Sequence, residues 1–183
     1  ADYQKKNIGN FLSQREMLKR LELSENNHQE LLAYCREKGI QFCSTAFDIE
    51  SVRYLASLDL PFMKCPSGEL TNLPFLRELD LCGKPVILST GMATMKEVEE
   101  AISVFSQSAL TLLHCTTEYP CPYDEVNLKA MEVMHKRFGF PVGYSDHTIG
   151  IEVPIAAVAM GASVIEKHLT IDRKMNGPDH SSS

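Results

Sequence analysis

The chain alternates between short, β-rich apolar runs and longer stretches with helical periodicity. Six runs read as strands: QFCST (41–45), PFMKC (61–65), PVILS (85–89), LTLLHCT (110–116), PVGYS (141–145) and SVIEKH (163–168). They start 20 to 31 residues apart. Several intervening segments carry one apolar face. In 48–58, Ile49, Val52, Leu55 and Leu58 share a face. In 94–105, Thr94 and Glu97 form a capping box, and Val98, Ala101, Ile102 and Phe105 point inward. In 127–138, Leu128, Met131 and Phe138 align, with Met134 or His135 as a fourth member. Upstream, 24–39 reads as a helix capped by Ser24 and stopped by Gly39.

Repeated β/α units with apolar strands imply a parallel sheet. Six units without a Gly-rich dinucleotide turn predict an α/β fold of the (β/α)8 TIM barrel type, with a doubly wound open sheet as the alternative. A complete barrel needs eight units and about 250 residues. The chain therefore reads as an incomplete barrel of about six β/α units, a single domain over 1–183. Its first ten residues, ADYQKKNIGN, read as a polar loop rather than a first strand. The expectation is a segment of a longer enzyme.

Composition narrows the function classes. With 183 residues, 44% of them hydrophobic, the chain can bury one core. A net charge of −6 speaks against a nucleic-acid footprint. The longest apolar stretch, Val153–Ile165, is too short to span a bilayer. Six scattered cysteines without a CxxC pair read as reduced core residues, and no signal peptide is visible, so the expected compartment is the cytoplasm.

In a barrel, ligands gather at the carboxyl ends of the strands. His147 and His168 lie at two successive strand ends, 21 positions apart, which is one loop–helix–strand unit. Neighbouring strands sit about 4.8 Å apart, so the two imidazoles can ligate one metal ion. The plainer reading is two unrelated polar residues, since two histidines are an incomplete metal shell. Thr45, Lys64, Ser67, Ser89 and Ser145 also stand at or just after the ends of apolar runs. Converging, they would form an anion cradle suited to phosphate, although a single hydroxyl more often serves a turn or cap. Glu69 and Glu166 are candidate acid/base groups or ligand orienters, and Glu166 shares strand parity with His168. His114 reads either as a pocket residue or as a hydrogen-bonded core histidine. His28 and His135 read as surface or flanking helix residues, and His180, which follows Asp179, is assigned no role, with an approach to the same mouth as the alternative.

Taken together, KCPSGEL, PVILSTGMAT, LLHCTTEYP, VGYSDHTIG, VIEKHLTIDR and GPDH, in this order, resemble the sialic acid synthase family. The resemblance runs from ADYQKKN to GPDH and extends to the relatives that make legionaminic and pseudaminic acids. It implies condensation of phosphoenolpyruvate with N-acetylmannosamine or a related N-acetylated hexose, giving N-acetylneuraminate and phosphate. N,N'-diacetyllegionaminate or pseudaminate is the alternative product. It implies that His147 and His168 hold a divalent Mn2+ or Mg2+, and that Thr45, Lys64, Ser67, Ser89 and Ser145 hold the phosphate. It places Glu69, Tyr119 and Asp179 near the acceptor sugar, with Glu69 and Lys64 catalytic. Some relatives carry an asparagine where this chain has Thr116 and Thr117. The family also has a first strand with a catalytic glutamate and a small C-terminal antifreeze-like (SAF) domain. Both would lie outside residues 1–183. That domain gives an arginine to the partner's sugar site, which implies a homodimer. Two other classes stay open: a catalytically incomplete structural fragment, and a metal-dependent aldolase that uses pyruvate.

Overall fold

The computed structural model describes residues 13–183. Five strands form one sheet: β1 (Met63–Cys65), β2 (Val86–Ser89), β3 (Leu110–Cys115), β4 (Val142–Asp146) and β5 (Ile165–Lys167). Every neighbouring pair is parallel, and the spatial order β1-β2-β3-β4-β5 is the chain order. A doubly wound sheet reverses its order at a switch point. Here no reversal occurs, and the sheet is half of a curled (β/α) barrel. Among the described residues, seven helices accompany it: α1 (Gln14–Leu21), α2 (Glu25–Lys38), α3 (Ile49–Ser57), α4 (Leu73–Leu81), α5 (Met95–Ile102), α6 (Lys129–Phe138) and α7 (Glu152–Ala159).

Local chemistry sets the boundaries. Ser24 and Asn27 close a capping box on α2, and Gly39 ends that helix in the left-handed region at φ 68°. Thr94 and Glu97 do the same at the start of α5. β2 and β4 begin directly after Pro85 and Pro141, which have no N–H to give a neighbouring strand. The expected strand at 41–45 contributes a single bridge, Thr45 opposite Lys64. Its one neighbour, β1, is only three residues long, which leaves little to pair with.

Strand parity divides the sheet. Met63, Cys65, Val86, Leu88, Leu110, Leu112, Val142 and Tyr144 join one core with helix residues such as Val52, Phe75, Leu79, Val98 and Met131. Residues of the other parity, including Lys64, Ser89, Leu113, Gly143 and Ser145, face the barrel axis. Met134 fills the fourth inward position of α6, while His135 is exposed. His28 departs from its expected surface position. It is 8% exposed, with Nδ1 on the Ser24 carbonyl and Nε2 on the Ser44 hydroxyl, and its ring packs edge-on against Phe42 and Tyr54. The weakly amphipathic pattern of α2 gave no sign of this polar anchor. All six cysteines are free. Among the described residues, no helix is long and apolar enough to cross a membrane.

Gly143 marks the tightest point of the barrel interior. A Cβ there would stand 2.3 Å from the Val164 carbonyl oxygen and 2.7 Å from Leu113 Cδ2. That carbonyl already accepts the Tyr144 N–H at 2.9 Å and cannot easily move. Gly143→Ala should therefore cost about 1–3 kcal/mol by overpacking, read as a lower urea midpoint at unchanged slope.

Candidate active site

The axis-facing parity brings the carboxyl ends of the strands to one mouth. Lys64 leaves β1 toward the axis and is 9% exposed. Its ammonium donates to Ser89 Oγ on β2 at 2.7 Å and to the Cys65 carbonyl at 3.1 Å. It also lies 3.5 Å from Glu166 Oε2 on β5. The other carboxylate oxygen of Glu166 accepts the Ser145 hydroxyl of β4 at 2.7 Å. One carboxylate thus joins β1, β4 and β5, Lys64 adds β2, and Thr45 stands opposite Lys64 on the far side. Ser67, on the turn after β1, lies 3.3 Å from Cys115 Sγ at the end of β3 and accepts the Gly91 N–H at 3.0 Å. Burial pushes the Cys115 thiol upward, so it stays protonated at neutral pH rather than acting as a thiolate.

The two histidines do meet. His147 and His168 have ring centroids 5.7 Å apart. Nδ1 of His147 lies 2.6 Å from the Thr116 carbonyl oxygen. A carbonyl only accepts, so Nδ1 carries the proton and Nε2 offers its lone pair to the mouth. Burial holds this imidazole below its ordinary value, and the neighbouring His168 acts in the same direction. His147 is therefore neutral at pH 7, the form that ligates a metal. Tyr119 stacks on the His147 ring at 4.0 Å and meets His168 edge-on at 5.6 Å. A cleft of about 550 Å³ opens beside His168, lined among others by Gly150, Ile151, Thr170 and Arg173.

Most of the expected site residues come together. Lys64, Ser89, Ser145, His147, His168 and Tyr119 form one connected group, with Glu166 at its centre. Glu69 lies on the 3-10 turn with Ser67, where its carboxylate accepts the Asn72 amide at 2.7 Å. Asp179 opens the 3-10 turn His180–Ser182, and its Oδ1 is buried without a hydrogen-bond partner. His180 donates to or accepts from Thr170 at 2.7 Å. Cys115 and Gly91 escaped the sequence reading, and Thr116 and Thr117 entered it only as a departure from the family pattern. Cys115 has the inward parity of β3, which could have flagged it. Gly91 has no room for a side chain, since a Cβ would fall 2.4 Å from Thr117 Oγ1. That hydroxyl of Thr117 is itself buried without a hydrogen-bond partner. Thr116 acts through its carbonyl, which no side-chain pattern reports.

The model of the NeuB family matches residues 1–183. The chain belongs to the NeuB family. N,N'-diacetyllegionaminic acid synthase of Campylobacter jejuni is 51% identical over 188 residues, covering 100% of this chain and 56% of that protein. The enzyme of the same name from Legionella pneumophila is 48% identical, covering 100% and 53%. This NeuB-family chain thus spans about half the length of the curated relatives it matches. The crystal structure of N-acetylneuraminic acid (sialic acid) synthetase from Leptospira borgpetersenii superposes with a TM-score of 0.89 at 34% identity, covering 99% of this chain and 64% of that one.

His114 is resolved as a core histidine. It pairs with Tyr144 on the helix-facing side, and its Nε2 lies 2.9 Å from the Val126 carbonyl oxygen. Burial lowers its pKa from the ordinary 6.5, against the pull of that carbonyl. The unfolded chain therefore binds more protons than the folded one, so stability is full above pH 6.5 and falls as pH drops below it. The melting temperature should decline between about pH 7.5 and about pH 5.5, and less steeply in His114→Gln. Parallel thermal scans of the two proteins check this.

Proposed function

We propose that this chain forms the barrel of a synthase that joins phosphoenolpyruvate to an N-acetylated aldose and releases phosphate. The observation that carries the reading is the connected group of Lys64, Ser89, Ser145 and Glu166 beside the paired imidazoles. Names of the two relatives near half identity favour a 6-deoxy diacetamido acceptor, with N,N'-diacetyllegionaminic acid as product, over N-acetylmannosamine.

The Lys64 ammonium, with the hydroxyls of Ser89, Ser145, Ser67 and Thr45, holds the phosphate of phosphoenolpyruvate. Contacts from a nearly buried ammonium are strengthened by the low surrounding dielectric. In the structure the Glu166 carboxylate rests on Lys64 and Ser145, two contacts that suit an anionic oxygen. The C2=C3 double bond of phosphoenolpyruvate opens as C3 bonds to the aldehyde carbon of the open-chain sugar, whose oxygen takes a proton and becomes a hydroxyl. Water adds at the cationic C2 and gives up a proton, and the new C2 hydroxyl becomes the keto group, passing its proton to the phosphate as the C2–O bond to phosphate breaks. Fixed donors around the phosphate stabilise charge as that bond breaks. Glu69, Tyr119 and Asp179 are assigned to the sugar, with Glu69 as a proton carrier.

The residues present fit a divalent ion. Nε2 of His147 is freed by the Thr116 carbonyl, and the His168 ring lies beside it. Among the described residues no group of three or more His, Cys, Asp or Glu gathers there, so the two imidazoles would supply part of a shell that water or substrate oxygens complete around Mn2+ or Mg2+. Held by His147 and His168, such an ion would supply Lewis-acid polarisation of the sugar carbonyl.

Steady-state kinetics test the cradle. Lys64→Ala should raise the KM for phosphoenolpyruvate at least about tenfold, from loss of one charge-assisted contact worth about 1.5–3 kcal/mol. An unchanged KM and kcat would remove Lys64 from the site. Phosphate release separates a synthase from a pyruvate aldolase. A higher kcat/KM with N-acetylmannosamine than with the diacetamido sugar would reverse the assignment of the acceptor.

A further inference from the structure

A second constellation lies behind the two histidines. Asp146 and Lys167 immediately precede His147 and His168, and the register of β4 against β5 sets them opposite each other. Successive residues alternate faces, so this pair points away from the mouth. Lys167 Nζ donates to Asp146 Oδ2 at 2.6 Å and to the Thr148 carbonyl at 2.8 Å. Thr148 donates its N–H to Asp146 Oδ1 at 3.1 Å, and its hydroxyl lies 2.9 Å from Oδ1 and 3.1 Å from Oδ2. Asp146 and Thr148 are 0% exposed.

No step of the reaction above uses these groups. Stability alone is a weak reason for them, because a buried ion pair replaced by packed apolar residues often leaves stability unchanged. Fixing a register is a better-attested use of such a pair. Here the hydrogen bonds grip both neighbours of His147, at 146 and 148, and the residue before His168. We propose that Asp146 and Lys167 are positioning residues, which set the distance and facing of the two imidazoles from the far side of the sheet. The proposal rests on reading His147 and His168 as joint ligands of a divalent ion.

The test uses the intact protein and two readouts. One is Mn2+ affinity by electron paramagnetic resonance titration. The other needs no metal: the downfield Nδ1–H resonance of His147, protected by the Thr116 carbonyl. The main variant is Asp146→Leu with Lys167→Met, which removes both charges together, and its fold is checked by circular dichroism. It should bind Mn2+ at least about tenfold more weakly, the scale seen when the supports of metal ligands are removed. Its His147 resonance should broaden or vanish, whereas Lys167→Arg, which keeps the pair, should retain the resonance. A folded double variant with natural Mn2+ affinity and an intact resonance overturns the proposal. Should the double variant not fold, Asp146→Asn decides by the same two readouts, with loss supporting and constancy overturning. If the natural protein binds no Mn2+, the metal reading fails, and the resonance alone decides the role of the pair.

Discussion

The parallel register of β4 against β5 is the constraint on which the site depends. It sets Ser145 opposite Glu166 and Asp146 opposite Lys167. Because side chains alternate faces, this one register produces two polar layers. The inner layer carries Ser145, Glu166 and the two histidines, and the outer layer carries the Asp146–Lys167 pair. A slip of β5 by one residue would turn Glu166 and His168 under the helices and Lys167 into the mouth, separating each from its partner on β4. The hydrogen bonds within each layer therefore resist the same slip from opposite sides.

Charge is handled differently in the two layers. On the outer face, Asp146 is fully buried, and both its oxygens have donors from Lys167 and Thr148, so its charge is compensated within the fold. On the inner face, Lys64 is nearly buried but its partner Glu166 keeps 43% of its side-chain surface exposed. The asymmetry lies in the anions, since Glu166 reaches solvent and Asp146 does not, while Lys64 and Lys167 keep 10% and 17% of their side-chain surface exposed. Backbone groups complete the arrangement. The Thr116 carbonyl fixes the tautomer of His147, and the Gly91 N–H turns toward Ser67 where a side chain would not fit.

The sequence by itself determined the architecture and most of the mouth. Apolar runs spaced by one β/α unit imply a parallel sheet, the ends of those runs carry Lys64, Ser89, Ser145 and His168, and Glu166 shares the parity of His168. Caps such as Ser24 and Thr94 located helix starts because their chemistry is local. Only the tertiary structure decided the rest, for reasons of contact between distant segments. His28 is an internal anchor because Ser44, Phe42 and Tyr54 close over it. His114 belongs to the core because the Val126 carbonyl and Tyr144 reach it from separate elements. Thr116 and Gly91 serve through backbone atoms, which every residue shares and no side-chain pattern marks. Asp146 and Lys167 come into view only through the register, which places them opposite each other in a buried layer.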